Sequence, residues 1–216
     1  MCNAYCILFG AINLKAEEVK GKRIIEIGSY SHNGGLRPLI ESYFPSEYIG
    51  VDLKPGPSVD IICRAEDVLE KFGKECFDVV ISTELLEHVR DWKKVLKNIK
   101  SICKAGGIIL VTTRSFGCPY HGFPFDFWRY ELNDFRHIFS DCGIEKIEKD
   151  PGYGVMIKVR KQKEFSMIDL SNYKLYSILH NRRVSNIEKK ETKKLSLIAN
   201  YKQKTKVVLS SLRNLF

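Results

Sequence analysis

Several features are missing from this sequence. No stretch approaches the ~18 uninterrupted apolar residues of a bilayer-spanning helix. The opening MCNAYCILFGAINL has neither the basic start nor the cleavage site of a secretory leader, so a cytoplasmic protein is expected. The seven cysteines (Cys2, Cys6, Cys63, Cys76, Cys103, Cys118, Cys142) are odd in number and form no CxxC pair. That excludes a disulfide framework and a thiolate zinc site, and leaves the thiols as small apolar core residues. Internal repeats and low-complexity tracts are absent too. What is present, 216 residues with 44% hydrophobic and 28% charged side chains, is the composition of one globular domain with an appendage.

The net charge of +9 is unevenly placed. Residues 1–162 carry 23 Lys and Arg against 22 Asp and Glu, whereas residues 163–216 carry 12 against 4. Basicity belongs to the tail, so the first three quarters need not attract phosphate backbones over their surface.

Short β-branched runs alternate with amphipathic stretches from Lys22 onward. RIIEI (23–27), YIGVD (48–52), VDIIC (59–63), FDVVIS (77–82) and GIILVTT (107–113) read as strands buried on both faces. Helices are expected at 35–43, 66–72 and 91–103, the last closed by the glycines after Lys104. This alternation predicts a doubly wound, Rossmann-like, mostly parallel α/β sheet. A helix at 131–141 and a hairpin of strands 143–149 and 154–160 complete a seven-stranded sheet at its edge. The expected division is a domain over 1–162 and a basic helical extension over 163–216. In the extension, Phe165, Ile168, Leu175 and Leu179, then Ile198 to Leu215, step at helical spacing.

Ligands of open α/β sheets bind beyond the carboxyl ends of the strands, and the loop after the first strand is the usual cradle. Here that loop is EIGSYSHNGGLR (26–37), with glycines at 28, 34 and 35. Tyr30 and Ser31 break the GxGxxG spacing, which disfavours a nicotinamide dinucleotide. Glu26, an acid in an apolar strand, needs a partner: a cationic ligand group or the loop's own amides. Asp52 ends the second strand, where a carboxylate can accept from both hydroxyls of a ribose. Glu26, the glycine loop and Asp52 in that order suit a nucleoside with a charged tail.

EIGSYSHNGG (26–35), YIGVD, RAED (64–67), FDVVISTELLEHV (77–89), KAGGIILVTT (104–113) and FPFDFWRY (123–130) resemble the class I S-adenosylmethionine-dependent methyltransferases, in particular the broad group called type 11. The resemblance covers roughly residues 20–160. It implies that Glu26, Gly28, Ser29 and Gly34 face the methionine part of the cofactor, that Asp52 and Leu53 hold the ribose side, and that Ala65 and Glu66 lie beside adenine. Ser82 and Thr83 would border the sulfonium. The first loop is longer than the family's usual D/E-x-G-x-G-x-G, and Arg64 stands where many relatives carry an acid. Methyl transfer from a sulfonium is an in-line displacement needing alignment and desolvation, and a base only where the acceptor must lose a proton.

STELLEHV places Glu84 and His88 four apart on one helical face, with Glu87 beside His88. With His121 from a later loop, these residues offer ligands for a divalent cation, as in some methyltransferases of RNA 3′ ends and quinone precursors; the same string serves equally as packing at a helix start. The loop 116–130 holds seven aromatics together with His121, Asp126 and Arg129. His121 and Asp126 are the candidate general bases, against a reading in which Asp126 and Arg129 pair to brace the loop. The leading functional expectation is methyl transfer to a small-molecule, lipid-linked or glycan acceptor. A metal-assisted RNA or quinone-type methyltransferase and a noncatalytic scaffold of the same fold are the alternatives. The basic tail suits a protein partner or an anionic membrane surface, and nucleic acid less well, since it has few interleaved aromatics.

Overall fold

The computed structural model describes residues 3–31, 34–122 and 124–193. Five parallel strands come from the predicted apolar runs: β1 (Arg23–Ile27), β2 (Glu47–Asp52), β3 (Ile61–Ile62), β4 (Phe77–Thr83) and β5 (Cys103–Arg114). A short strand β6 (Trp128–Arg129) leaves this sheet, and the hairpin of β7 (Cys142–Asp150) and β8 (Gly154–Lys161) closes it, in the order β3-β2-β1-β4-β5-β8-β7. Only β8 runs antiparallel to the rest, pairing with β5 on one side and β7 on the other.

Alternation along the strands divides the interior in two. Ile25, Ile27, Ile49, Val51, Val80 and Val111 face one core, where α4 (Val68–Phe72), α5 (Trp92–Ile102) and α6 (Leu132–Ile138) pack. Ile24, Tyr48, Val79, Ile81, Ile108 and Leu110 face the other. That second face is covered by α3 (Arg37–Glu41) and by α1 (Ala4–Asn13), which precedes α2 (Ala16–Val19). The helix α1 was not foreseen, because its uniformly apolar sequence shows no amphipathic period. Asn3 caps it by accepting from the Cys6 amide, and Gly10 lets it approach so closely that a Cβ there would meet Leu36 at 2.3 Å.

Three expectations change. Gly106 and Gly107 do not stop a helix: α5 ends at Ile102, and both glycines lie within β5, where a Cβ on Gly107 would stand 2.8 Å from the Asp78 carbonyl. STELLEHV is not one helical face. β4 runs to Thr83, Glu84 takes a left-handed φ of 54°, and only a 3-10 turn over Leu86–His88 follows. Finally, the expected helix through Phe165, Ile168, Leu175 and Leu179 is absent. Leu175 instead lies in β9 (Leu175–Ser177), which joins β10 (Arg182–Val184) and pairs with β6 in a three-stranded antiparallel sheet. The apolar residues of this segment, Leu175 and Ile187 among them, pack on the main core, so burial against a distant strand overrides the local period. The stripe Ile198 to Leu215 lies outside the described residues.

Candidate functional site

Strand order reverses between β1 and β4, which opens a crevice beyond their carboxyl ends. Gly28 turns there with φ 82°, and a Cβ on it would press on Leu85 at 3.1 Å, so glycine serves both the angle and the close approach. Beside it Asp52 ends β2. Its Oδ2 accepts from the Tyr30 amide at 3.1 Å and its Oδ1 from the Leu53 amide at 2.6 Å, which fixes the carboxylate and leaves lone pairs for a ligand. Leu53 is exposed. It lines, with Ile62, Cys63 and the charged Arg64, Asp67, Glu70 and Lys71, a cavity of about 580 Å³. Ala65 and Glu66 form the adjoining 3-10 turn, and the buried Asn98 of α5 donates to both their carbonyls, at 3.1 and 2.8 Å. Asn98 carries no motif signal; its buried amide on an otherwise apolar helix face was the available hint.

Ser29 and Ser82 line the same strand tips, and their buried hydroxyls have no hydrogen-bond partner among the described residues. Thr83 reaches Glu26 at 3.4 Å, and Tyr48 donates to the other Glu26 oxygen at 2.6 Å. Burial pushes Glu26 up to about 7, against the pull of these two donors. Gly34 has φ 90° and open space around it. A carboxylate fixed at the tip of β2, the glycine turn beside it and two unsatisfied hydroxyls after β1 and in β4 fit an adenosyl group with an amino-acid end.

The second part of the site lies beyond β4 and β5. Glu87 is fully buried and accepts from Thr113 at 2.7 Å through Oε2, while its Oε1 has no hydrogen-bond partner among the described residues. That free oxygen is 3.7 Å from His88 Nε2 and 3.8 Å from His121 Nε2. His88 gives its Nδ1 to the Phe125 carbonyl, and His121 places Nδ1 3.2 Å from both Asp126 and the Pro119 carbonyl, so both rings turn Nε2 inward. Glu87, His88 and His121 offer ligand atoms within 4.8 Å of one another, a donor set that fits a divalent cation. Glu84 does not join them. Its left-handed backbone turns it to the other face, where it pairs with Arg114 and accepts from Thr112 at 3.1 Å and Cys6 at 3.4 Å. Burial and the neighbouring Glu87 charge raise it to about 9.

The candidate bases are otherwise engaged. Asp126 takes Arg129 through both oxygens, at 2.6 and 2.8 Å, and accepts the His121 amide at 2.7 Å. Against its burial, Arg129 and His121 hold it well below the usual carboxylate range. These bonds tie the two ends of the 121–129 segment together. Asp126 and then Glu87 raise His121 to about 10, which favours the protonated, donating ring over a metal-ligating one.

A family model for a methyltransferase domain matches residues 8–156. The chain belongs to that family. Its cofactor is S-adenosylmethionine. The methyltransferase is 28% identical over 106 residues to a phthiotriol/phenolphthiotriol dimycocerosates methyltransferase of Mycobacterium ulcerans, covering 44% of this chain and 38% of that one. It is 28% identical over 120 residues to a ubiquinone biosynthesis O-methyltransferase of Idiomarina loihiensis, covering 50% and 48%. The chain thus spans less than half the length of these curated relatives. Among solved structures it resembles the 1,6-didemethyltoxoflavin-N1-methyltransferase of Burkholderia thailandensis, with a TM-score of 0.58 and 12% identity over 73% of this chain and 78% of that one. An S-adenosylmethionine dependent methyltransferase of Mesorhizobium loti gives 0.53 and 15%, over 67% and 93%. At such identities the likeness is one of fold. Among the described residues, no helix is long and apolar enough to cross a membrane.

Proposed function

We propose that this methyltransferase moves a methyl group from S-adenosylmethionine to a hydroxyl of a small-molecule or lipid-linked acceptor. The observation that carries the reading is Asp52, pinned by two backbone amides at the tip of β2 beside the Gly28 turn, next to the cavity that Leu53 lines. In it, Asp52 and Leu53 hold the ribose side, Ala65 and Glu66 flank adenine, and Glu26, Gly28, Ser29 and Gly34 surround the amino-acid end. Ser82 and Thr83 border the sulfonium. When bound, the cofactor supplies an electrophilic methyl group, so the chain's task is alignment and exclusion of water. His121, cationic between Asp126 and Glu87, orients an acceptor oxygen by donating to it, an arrangement suited to an acceptor that ionises without a strong base. The name of one curated relative, a ubiquinone biosynthesis O-methyltransferase, supports an oxygen acceptor.

The test is thermal. S-adenosylhomocysteine should raise the melting temperature, and Asp52→Ala should weaken its binding ~10- to 100-fold, the worth of about 1.5–3 kcal/mol for hydrogen bonds to a charged group. No shift in the wild-type protein would remove the enzymatic reading and leave the noncatalytic scaffold. A second reading, metal-assisted transfer, is favoured by the inward-facing Glu87, His88 and His121 set. Its donors suit zinc, iron or manganese better than magnesium. Near-stoichiometric metal in the purified protein, lost in His88→Ala, is its expected outcome; a metal-free protein whose melting is indifferent to chelator would dismiss it.

A further inference from the structure

Phe44, Leu53, Ile62 and Ile144 apart, the large exposed apolar side chains lie on α1, on the β7–β8 turn and on the 116–130 loop. On α1, Tyr5, Leu8 and Ile12 form an outward stripe at 42%, 55% and 67% exposure, while Cys6, Phe9 and Gly10 are buried behind them. No residue from Ala4 to Asn13 carries a charge. A surface helix in contact with water alone would place polar residues outward. The apolar surface then continues around the site. Tyr5 lies against Gly152, where a Cβ would stand 3.7 Å from its ring. The next residue, Tyr153, is 57% exposed and packs on Gly117. Phe116, 59% exposed, meets Tyr176 edge-on at 5.0 Å, and the exposed Phe125 brings the rim to the loop that carries His121.

Where the rim reaches Tyr176 it becomes basic. Residues 170–187 contain Lys174, Arg182 and Arg183 and no Asp or Glu. Lys174 and Arg182 are exposed on this hairpin, whereas Arg183 is engaged with Asp134 at 2.7 Å. The sequence beyond it, 194–216, adds five Lys and Arg and again no acid. An uncharged apolar surface bordered by exposed cations such as Lys174 and Arg182 is the complement of an anionic lipid surface: rings and aliphatic chains enter the headgroup boundary while cations meet the phosphates.

We propose that this rim docks the protein on an anionic lipid bilayer, with α1 and the Tyr153–Phe116 segment in the interface and the β9–β10 hairpin over the headgroups. Docking stands without the methyl-transfer reading. Its consequence, that the mouth of the site faces a lipid surface from which a lipid-linked acceptor is taken, rests on that reading.

The test is co-sedimentation of the full chain with vesicles of phosphatidylcholine, with or without about one third phosphatidylglycerol. Binding to the anionic vesicles is expected, weakening as salt is raised. The double variant Leu8→Ser/Ile12→Ser should lower the partition coefficient at least ~10-fold, since both side chains forfeit their apolar burial in the interface. Tyr153→Ser, outside the helix, should lower it independently. Both variants should keep the melting shift with S-adenosylhomocysteine, which separates failure of docking from failure of the cofactor reading. Three results would overturn the proposal: no vesicle binding at low salt, binding that survives both rim variants, or a concentration-dependent dimer that the rim variants abolish.

Discussion

Asp126 has no solvent exposure and stands between the guanidinium of Arg129 and the ring of His121, so it bears on the architecture of the 116–130 loop. Removing Arg129 leaves the buried Asp126 charge with only the partly exposed His121 opposite it. Arg129→Met should therefore cost about 3–5 kcal/mol in urea unfolding, and the double change Arg129→Met/Asp126→Leu should recover much of it. If the double variant is no more stable than the single one, the brace is not an isolated ion pair. Glu26 allows a pH test. Its folded value near 7 lies above the ordinary 4.5 because burial favours the neutral form. The stabilisation is complete below about pH 4.5, fades as pH rises, and is gone above about 7, a change on the order of 3 kcal/mol. Glu26→Gln should flatten the melting temperature over that window; a profile parallel to the wild type would show that another group titrates.

The 65–67 turn beside the cavity depends on α5 as much as on the strands. Asn98 ties the carbonyls of Ala65 and Glu66 to the helix, while Asp91 accepts the Lys94 amide and fixes where that helix begins. Asn98→Leu should destabilise the protein by about 1–3 kcal/mol by orphaning these carbonyls. It should also weaken S-adenosylhomocysteine several-fold by calorimetry, without the larger loss expected of Asp52→Ala. Unchanged affinity would mean that the 65–67 turn holds its shape alone. At the other end of the site, β9 serves a similar purpose. It pairs Ser177 with Trp128 and Tyr176 with Arg129, and the Ile178 amide donates to the Phe127 carbonyl at 3.0 Å, so the acceptor loop is backed by a hairpin from beyond the family-matched segment.

That backing has a consequence for the whole molecule. Leu175 is fully buried in the main core, near which Tyr173 meets Trp92 edge-on. Leu175→Ala should lower global stability by about 2–5 kcal/mol in a single cooperative transition. Two-step melting would instead make the segment after 162 a separate unit. The parallel strands and their order of appearance were legible in the sequence because a strand buried on both faces writes its burial as a continuous apolar run, as RIIEI and GIILVTT do. Gly28 and Asp52 were legible because a tight turn and a strand tip restrict which residue can stand there. The helix α1 was not, since an apolar stripe facing outward erases the period that would reveal it. Nor was the pairing of β9 with β6, or the choice of Glu87 over Glu84 as companion to His88 and His121. Periodicity reports what each residue does relative to its neighbours in the chain. Which polar groups meet depends on crossings between segments dozens of residues apart and on one left-handed backbone angle at Glu84, and these arise only when the layers pack.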